Sequence, residues 1–333
     1  MKKKIIALLL SAMTLLSVPS YAADSFINLF KDFKVSDIRA DFEFGVKGKE
    51  YHDTDITAGA SKNFWEPYTE VTVKPFQDSE FSIRGGYSYR NYNDKVSSGV
   101  KQESNVISRE LYVGNDWIFG NFRFRPEYGV RETSYGGYRY SGIVKNTELR
   151  LYPKMDYKFN KNWMIYTRGF YGKYYLDRTG TTASNTGDKW RLEGGVRYTF
   201  NRKHGVSLAY SNSFNEENRF AYETKLDEIR LRYHWNPTRK LQLQPHVYFG
   251  FNGERNRPGR NPNSNGGDGK YDKDRVGING HYYINNSFTL LFQIHYEWYT
   301  DRTRFYSNNN GSSRVAARNK DNLFYNMGFK YSI

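Results

Sequence analysis

The stretch Phe122–Arg131, FRFRPEYGVR, switches between apolar and charged residues almost at every step. Phe122, Phe124, Tyr128 and Val130 alternate with Arg123, Arg125, Glu127 and Arg131. Period two is the period of a β-strand, so the rings share one face and the charges the other. A helix would scatter both sets around its circumference. The parity returns along the chain. Ile38, Ala40, Phe42, Phe44 and Val46 alternate with Arg39, Asp41, Glu43 and Lys47. Leu149, Leu151, Met155 and Tyr157 alternate with Glu148, Arg150, Lys154, Asp156 and Lys158. Ile229, Leu231, Tyr233 and Trp235 alternate with Glu228, Arg230, Arg232 and His234. Phe288, Leu290, Phe292, Ile294, Tyr296 and Trp298 alternate with Thr289, Gln293, His295 and Glu297.

About fourteen such segments can be counted, each near the 9–11 residues a tilted strand needs to cross a bilayer. They begin near Ile38, Glu66, Phe81, Ile107, Phe122, Thr147, Trp163, Lys189, Gly205, Leu226, Leu241, Asp274, Phe288 and Asn322. Short connections (Gln77–Glu80, Ile118–Asn121, Phe159–Asn162, Asn201–His204, Asn236–Lys240, Asn285–Ser287) alternate with long ones such as Glu132–Asn146, Asn252–Lys273 and Tyr299–Asp321. Short periplasmic turns and long outer loops are the layout of a membrane barrel. The expected fold is therefore all-β: a transmembrane antiparallel up-and-down β-barrel over residues 38–333. A soluble sandwich would carry Val, Ile and Leu on its buried face. Here that face is rich in Tyr, Phe and Trp, and the other is too charged to bury without water.

Composition fits. Mean hydropathy is −0.83, yet aromatics make up 18% of the chain, and half-apolar strands average to a hydrophilic score. Lys2, Lys3 and Lys4, an apolar run from Ile5 to Leu16 and a small residue at Ala22 read as a secretory signal peptide, residues 1–22. Absence of cysteine excludes a disulfide scaffold and a thiolate metal site. A net charge of +15 fits an acidic membrane surface or an anionic permeant; with a signal peptide, nucleic acid is not expected as a partner. Fourteen strands spaced about 4.8 Å and tilted about 40° enclose a backbone cylinder of roughly 14 Å radius, wide enough for an oligosaccharide.

Several stretches resemble the monomeric porin G family of outer membranes: EGGVRYTFN at Glu193–Asn201, DEIR at Asp227–Arg230, DRVG at Asp274–Gly277, YEW at Tyr296–Trp298 and MGFKYSI at Met327–Ile333. WEPYTEVTV at Trp65–Val73 and RELYV at Arg109–Val113 are weaker echoes. The resemblance is diffuse, follows strand order over most of the chain, and implies a fourteen-stranded monomer that passes saccharides passively. Asn326, Gly328, Tyr331 and Ile333 are similar to the terminal signal read by the barrel-assembly machinery, with Ile333 where Phe is usual. The low-pH gate of that family uses two rim histidines. The matching positions fall near Tyr271 and Asp301, so the resemblance does not carry that gate. A segment ahead of the first strand and a longer chain also resemble the cyclodextrin porins. The implied function is diffusion of cyclodextrins or linear glucose oligomers, with anionic uronate-type oligosaccharides as the alternative cargo and outer-membrane lipid and lipopolysaccharide as surroundings.

The candidate permeant-lining residues are those at inward parity: Arg84, Arg123, Arg125, Arg131, Arg150, Arg168, Arg191, Arg197, Arg230, Arg232 and Arg275, with Tyr112, Tyr152, Tyr166 and Tyr248. Inward acids include Glu70, Glu110, Glu127, Glu148, Glu193, Glu228 and Glu297. Either these charges form a paired lattice that stiffens the wall, or uncompensated arginines attract and orient permeants through forked hydrogen bonds. The tyrosines either stack on sugar rings or fill space. In residues 23–37, Phe26, Leu29, Phe30 and Phe33 recur at helical spacing, a short amphipathic turn that is marginal alone. It reads either as a tail on the membrane interface or as a mobile plug in the lumen.

Asn261, Asn263, Asn265 and Gly266 resemble the start of a calcium loop, but Asp272 stands where a bidentate Glu is needed, so no metal and no cofactor is expected. The remaining class is a lipase-like barrel enzyme. None of the six histidines has a serine in local partnership, and catalysis is not expected, although a triad is defined by spatial geometry.

Overall fold

The computed structural model describes residues 38–53, 63–76, 79–95, 101–137, 143–178, 185–217, 222–257, 267–306 and 313–333. The signal peptide, the segment carrying Phe26, Leu29, Phe30 and Phe33, and Asn261–Asn265 lie outside them.

The strands are β1 (Arg39–Asp53), β2 (Phe64–Lys74), β3 (Ser82–Lys95), β4 (Lys101–Gly114), β5 (Trp117–Phe119), β6 (Phe122–Gly137), β7 (Ile143–Lys158) and β8 (Trp163–Arg178). They continue with β9 (Asn185–Thr199), β10 (His204–Glu217), β11 (Tyr222–Trp235), β12 (Leu241–Arg257), β13 (Gly267–Tyr283), β14 (Phe288–Tyr306) and β15 (Ser313–Ser332). Each long strand pairs antiparallel with its neighbours, and β1 pairs with β15, which closes the sheet. The three-residue β5 pairs only with the start of β6, while β4 pairs with β6 directly. Fourteen strands therefore build the wall. Ala40 and Ile333 exchange backbone hydrogen bonds at 3.1 and 2.9 Å where the last strand meets the first.

The short turns share a device. Asn160, Asn201 and Asn285 each accept, through Oδ1, the backbone N–H groups two and three residues on, at 2.8–3.0 Å. Thr238 does the same through Oγ1. A side chain that mimics a backbone turn lets the chain reverse within four residues. β5 and β6 are joined more tightly still, by Gly120 at φ +58° and Asn121. The positive φ suits a two-residue hairpin and favours glycine.

The opposite ends differ from the expected layout. Much of Glu132–Asn146, Asn252–Lys273 and Tyr299–Asp321, read as long loops, continues the ladder: β6 runs to Gly137, β12 to Arg257, and β14 and β15 pair out to Tyr306 and Ser313. In the sequence these stretches lack a sustained alternation of apolar and charged residues, so parity vanishes while strand pairing persists.

Outward-facing side chains form three belts. Leu111, Val113, Val130, Leu149, Leu151, Ile165, Leu192, Val196, Leu208, Ile229, Leu231 and Ile294 are exposed in a middle band. Trp117, Phe119, Phe159, Trp163, Phe200, Trp235 and Phe288 ring the short-turn end; Trp65, Tyr171, Tyr210, Tyr296 and Trp298 ring the other. An aliphatic belt between two aromatic girdles is the exterior of a transmembrane barrel.

Candidate functional site

The lumen wall is the candidate site, because parity sends the charged half of every strand there. Pairing across neighbouring strands accounts for most of its arginines. Arg84 bonds Glu70 at 3.0 Å and Glu127 at 3.1 Å, and Arg150 donates to Glu148 at 2.7 Å. Arg123 pairs with Asp116, Arg125 and Arg168 share Asp156, and Arg131 lies 3.5 Å from Glu110. Arg230 and Arg232 share Glu193 at 2.5 and 2.6 Å, with Glu228 as a second acceptor for Arg230. Glu297 serves Lys49, Lys273 and Arg275 at 3.5, 2.9 and 2.8 Å. The paired lattice thus describes the wall, with two exceptions. Among the described residues, Arg191 and Arg197 have no acid partner, and Arg197 Nε is buried without any hydrogen-bond partner.

The tyrosines have seats. Tyr112 stands opposite Gly129, Tyr166 opposite Gly195 and Tyr68 opposite Gly45. A Cβ on any of these glycines would fall within 2.9 Å of the facing ring. Each ring lies flat over the space its glycine leaves, which is why Tyr112 is only 1% exposed. Tyr68, Tyr112 and Tyr166 are therefore wall elements in the first place. Tyr248 is covered differently, by the guanidinium carbons of Arg230, Arg232 and Arg275 at 5.0–5.4 Å from its ring centre. Tyr152 touches Tyr112 and Phe170 edge-on and obliquely and accepts from Arg150 at 3.2 Å. Register was the missing signal: parity alone assigns a tyrosine to the lumen, and only a strand alignment shows the glycine opposite it.

One recess opens in the wall of β1 to β4, β6 and β15. Phe64, Tyr68 and Phe324 supply its rings, Glu66, Glu70 and Glu110 its carboxylates, and Lys47, Arg90 and Arg131 its cations. Its volume of about 240 Å³ is below the 300–1,000 Å³ of a site that encloses a drug-sized ligand, so it can seat one part of a larger permeant. Gly86 keeps its floor open, since a Cβ there would meet nothing closer than 3.7 Å.

One sequence expectation about histidines changes. Tyr271 and Asp301 stand opposite each other on β13 and β14, and, as the sequence shows, neither is a histidine. Space also creates a serine–histidine contact that local sequence did not show: Ser207 Oγ lies 3.2 Å from His234 Nε2, and Gln244 Nε2 lies 3.0 Å from His234 Nδ1. Ser207 is 2% exposed and the third member is an amide rather than a carboxylate. Neither fits the nucleophile and orienting acid of a hydrolytic triad.

The chain matches no known protein-family profile and no curated protein. It is similar in structure to outer-membrane channels. A TodX monoaromatic hydrocarbon channel (deltaS2 mutant) superposes with a TM-score of 0.54 at 10% identity, over 89% of each chain. A FadL homologue of Pseudomonas aeruginosa gives 0.51 at 11% identity, over 88% of this chain and 89% of that one. The Ralstonia pickettii toluene transporter TbuX gives 0.50 at 9% identity, over 88% and 89%. The likeness is one of fold. It supports the closed fourteen-stranded outer-membrane barrel and does not support the narrower resemblance to cyclodextrin porins.

Proposed function

We propose that the protein is an outer-membrane diffusion channel for water-soluble oligosaccharides, with linear and cyclic glucose oligomers as its first expected cargo. The observation that carries the reading is the recess of β1 to β4, β6 and β15, where aromatic rings lie beside carboxylates and cations. Ring faces offer apolar area to the C–H side of a sugar, and the charged groups offer hydrogen bonds to its hydroxyls. The structurally similar channels are named for toluene and other aromatic hydrocarbons. A hydrocarbon gains nothing from a wall of ion pairs, which favours a polar permeant here.

In planar bilayers the purified barrel is expected to give discrete conductance steps, interrupted by linear glucose oligomers added to either side. Faster toluene uptake into liposomes, with no current interruption by any sugar, would replace the saccharide reading with the hydrocarbon one. Nothing in the proposed function calls for catalysis.

A further inference from the structure

The lattice of paired charges makes its two exceptions informative. Arg191 and Arg197 sit on the lumen face of the same strand, β9, roughly 20 Å apart at 3.3–3.4 Å per residue. The acids nearest to each are already engaged. Arg191 feels Glu228 and Glu297, but Glu228 is held by Arg230, and Glu297 by Lys49, Lys273 and Arg275. Arg230 and Arg275 add further positive charge near Arg191. Arg197 feels Asp156, which Arg125 and Arg168 share. Arg191 is exposed to the lumen, and Arg197 is half-buried with its Nε unsatisfied. Arg84, Arg125 and Arg131 also keep a buried Nε without an acceptor, but each is paired with a carboxylate; Arg197 has none, and an incoming anion would supply it.

The wall between the two arginines is also suited to a sliding permeant. Glu193 is occupied by Arg230 and Arg232, so it does not repel at full strength. Gly195 leaves the wall flat, and the ring of Tyr166 lies over it. The order along β9 is thus free cation, neutralised acid, aromatic step, free cation.

We infer that β9 gives the channel a second cargo: Arg191 and Arg197 form a two-step binding track for oligosaccharides bearing carboxylates. An acidic sugar chain can hold one guanidinium by a forked pair while its leading residue crosses Tyr166 to the other. The inference rests on the channel reading above.

The test uses the full-length barrel in planar bilayers, with a uronate trisaccharide and a neutral glucose trisaccharide as probes. The uronate is expected to interrupt the wild-type current at lower concentration than the neutral sugar. Arg191→Gln and Arg197→Gln should each weaken the uronate block by about tenfold, the weight of one charge-assisted hydrogen bond, and leave the neutral block unchanged. Lys173→Gln, on the lipid-facing parity of β8, should alter neither. Equal uronate block in wild type and in the Arg191→Gln/Arg197→Gln double variant would overturn the track while leaving the channel intact. So would an equal loss of both sugars, which would mean a misshapen wall. A wild-type protein that forms no conducting pore at all would instead remove the channel reading itself.

Discussion

The lumen has two unlike walls. On β1 to β4, acids and bases are nearly matched: Glu66 takes Arg90, Glu70 takes Arg84, and Tyr68 donates to Glu43 at 2.8 Å. The result is a recess with rings and charges of both signs. On β9, β11 and β13, bases outnumber acids. Lys189, Arg191, Arg197, Arg230, Arg232, Lys273 and Arg275 face inward against Glu193 and Glu228 alone; Glu228 serves only Arg230, while Glu193 and the neighbouring strands' Glu148 and Glu297 are each shared. One wall is built to be neutral and the other to remain cationic. A strand ladder permits this division because neighbouring inward side chains form a fixed grid, so that balance is set locally rather than over the whole barrel.

The largest effect should come from Glu193, the hub of the cationic wall. Its side chain is 5% exposed, and those of Arg230 and Arg232 are 7% and 13% exposed. Removing one partner of a buried pair costs about 3–5 kcal/mol, because the other charge stays behind uncompensated. Glu193→Gln leaves Arg232 without a carboxylate and Arg230 with Glu228 alone. Glu70→Gln on the neutral wall frees an arginine that still holds Glu127, and Glu70 is 37% exposed. Urea unfolding in lipid vesicles, followed by the mobility of unboiled protein on gels, should show a large drop in midpoint for Glu193→Gln and a small one for Glu70→Gln. Equal drops would mean that the two walls are held together alike.

An intermediate effect is expected where tyrosines rest on glycines, and this separates packing from charge. Gly45 and Gly328 face each other across β1 and β15, with Tyr68 over both. A Cβ at Gly45 would come within 2.4 Å of the Met327 carbonyl oxygen and 2.9 Å of the Tyr68 ring. Overpacking of this kind costs about 1–3 kcal/mol, so Gly45→Ala should lower the unfolding midpoint and widen the recess as Tyr68 is displaced. Gly194 has nothing within 4 Å of its would-be Cβ, and Gly194→Ala should be neutral or slightly stabilising. If both behave alike in the same urea assay, the tyrosine seats are incidental.

These contrasts also mark where the sequence could be read. Parity in stretches such as Phe122–Arg131 and Phe288–Trp298 places each ring and each charge on its correct face, because a strand repeats every two residues regardless of its partners. It places all eleven candidate arginines, Arg84 through Arg275, in the lumen. Parity cannot say which acid stands opposite which base. Arg191 and Arg230 look identical in the sequence, and only the register of β9, β10 and β11 gives Glu193 to Arg230 and leaves Arg191 free. The hairpin extensions beyond the bilayer were hidden for a related reason: with water on both faces no alternation is required, and the ladder leaves no imprint. The three-residue β5 is too short to carry any period.

The smallest effect should come from the arginines of β6, and it tests whether paired charges shape selectivity at all. Arg123, Arg125 and Arg131 look in the sequence like the strongest anion attractors. Each is paired in the structure, with Asp116, Asp156 and Glu110. Replacing all three by Ser does not simply subtract positive charge from free solution. It releases Asp116 and Glu110, whereas Asp156 stays held by Arg168. Two freed carboxylates, one of them beside the short-turn rim, then act as cation sites. The reversal potential in a potassium chloride gradient should move toward cation preference. The shift should shrink at high salt, where charges more than about 3–10 Å apart are screened. Neutralising only Arg191 and Arg197 removes fewer charges and releases no acid, yet it should change uronate block where the triple variant does not. A triple variant that abolishes uronate block while leaving the reversal potential unchanged would reverse the assignment, putting the anion contacts on β6 and making β9 part of the scaffold.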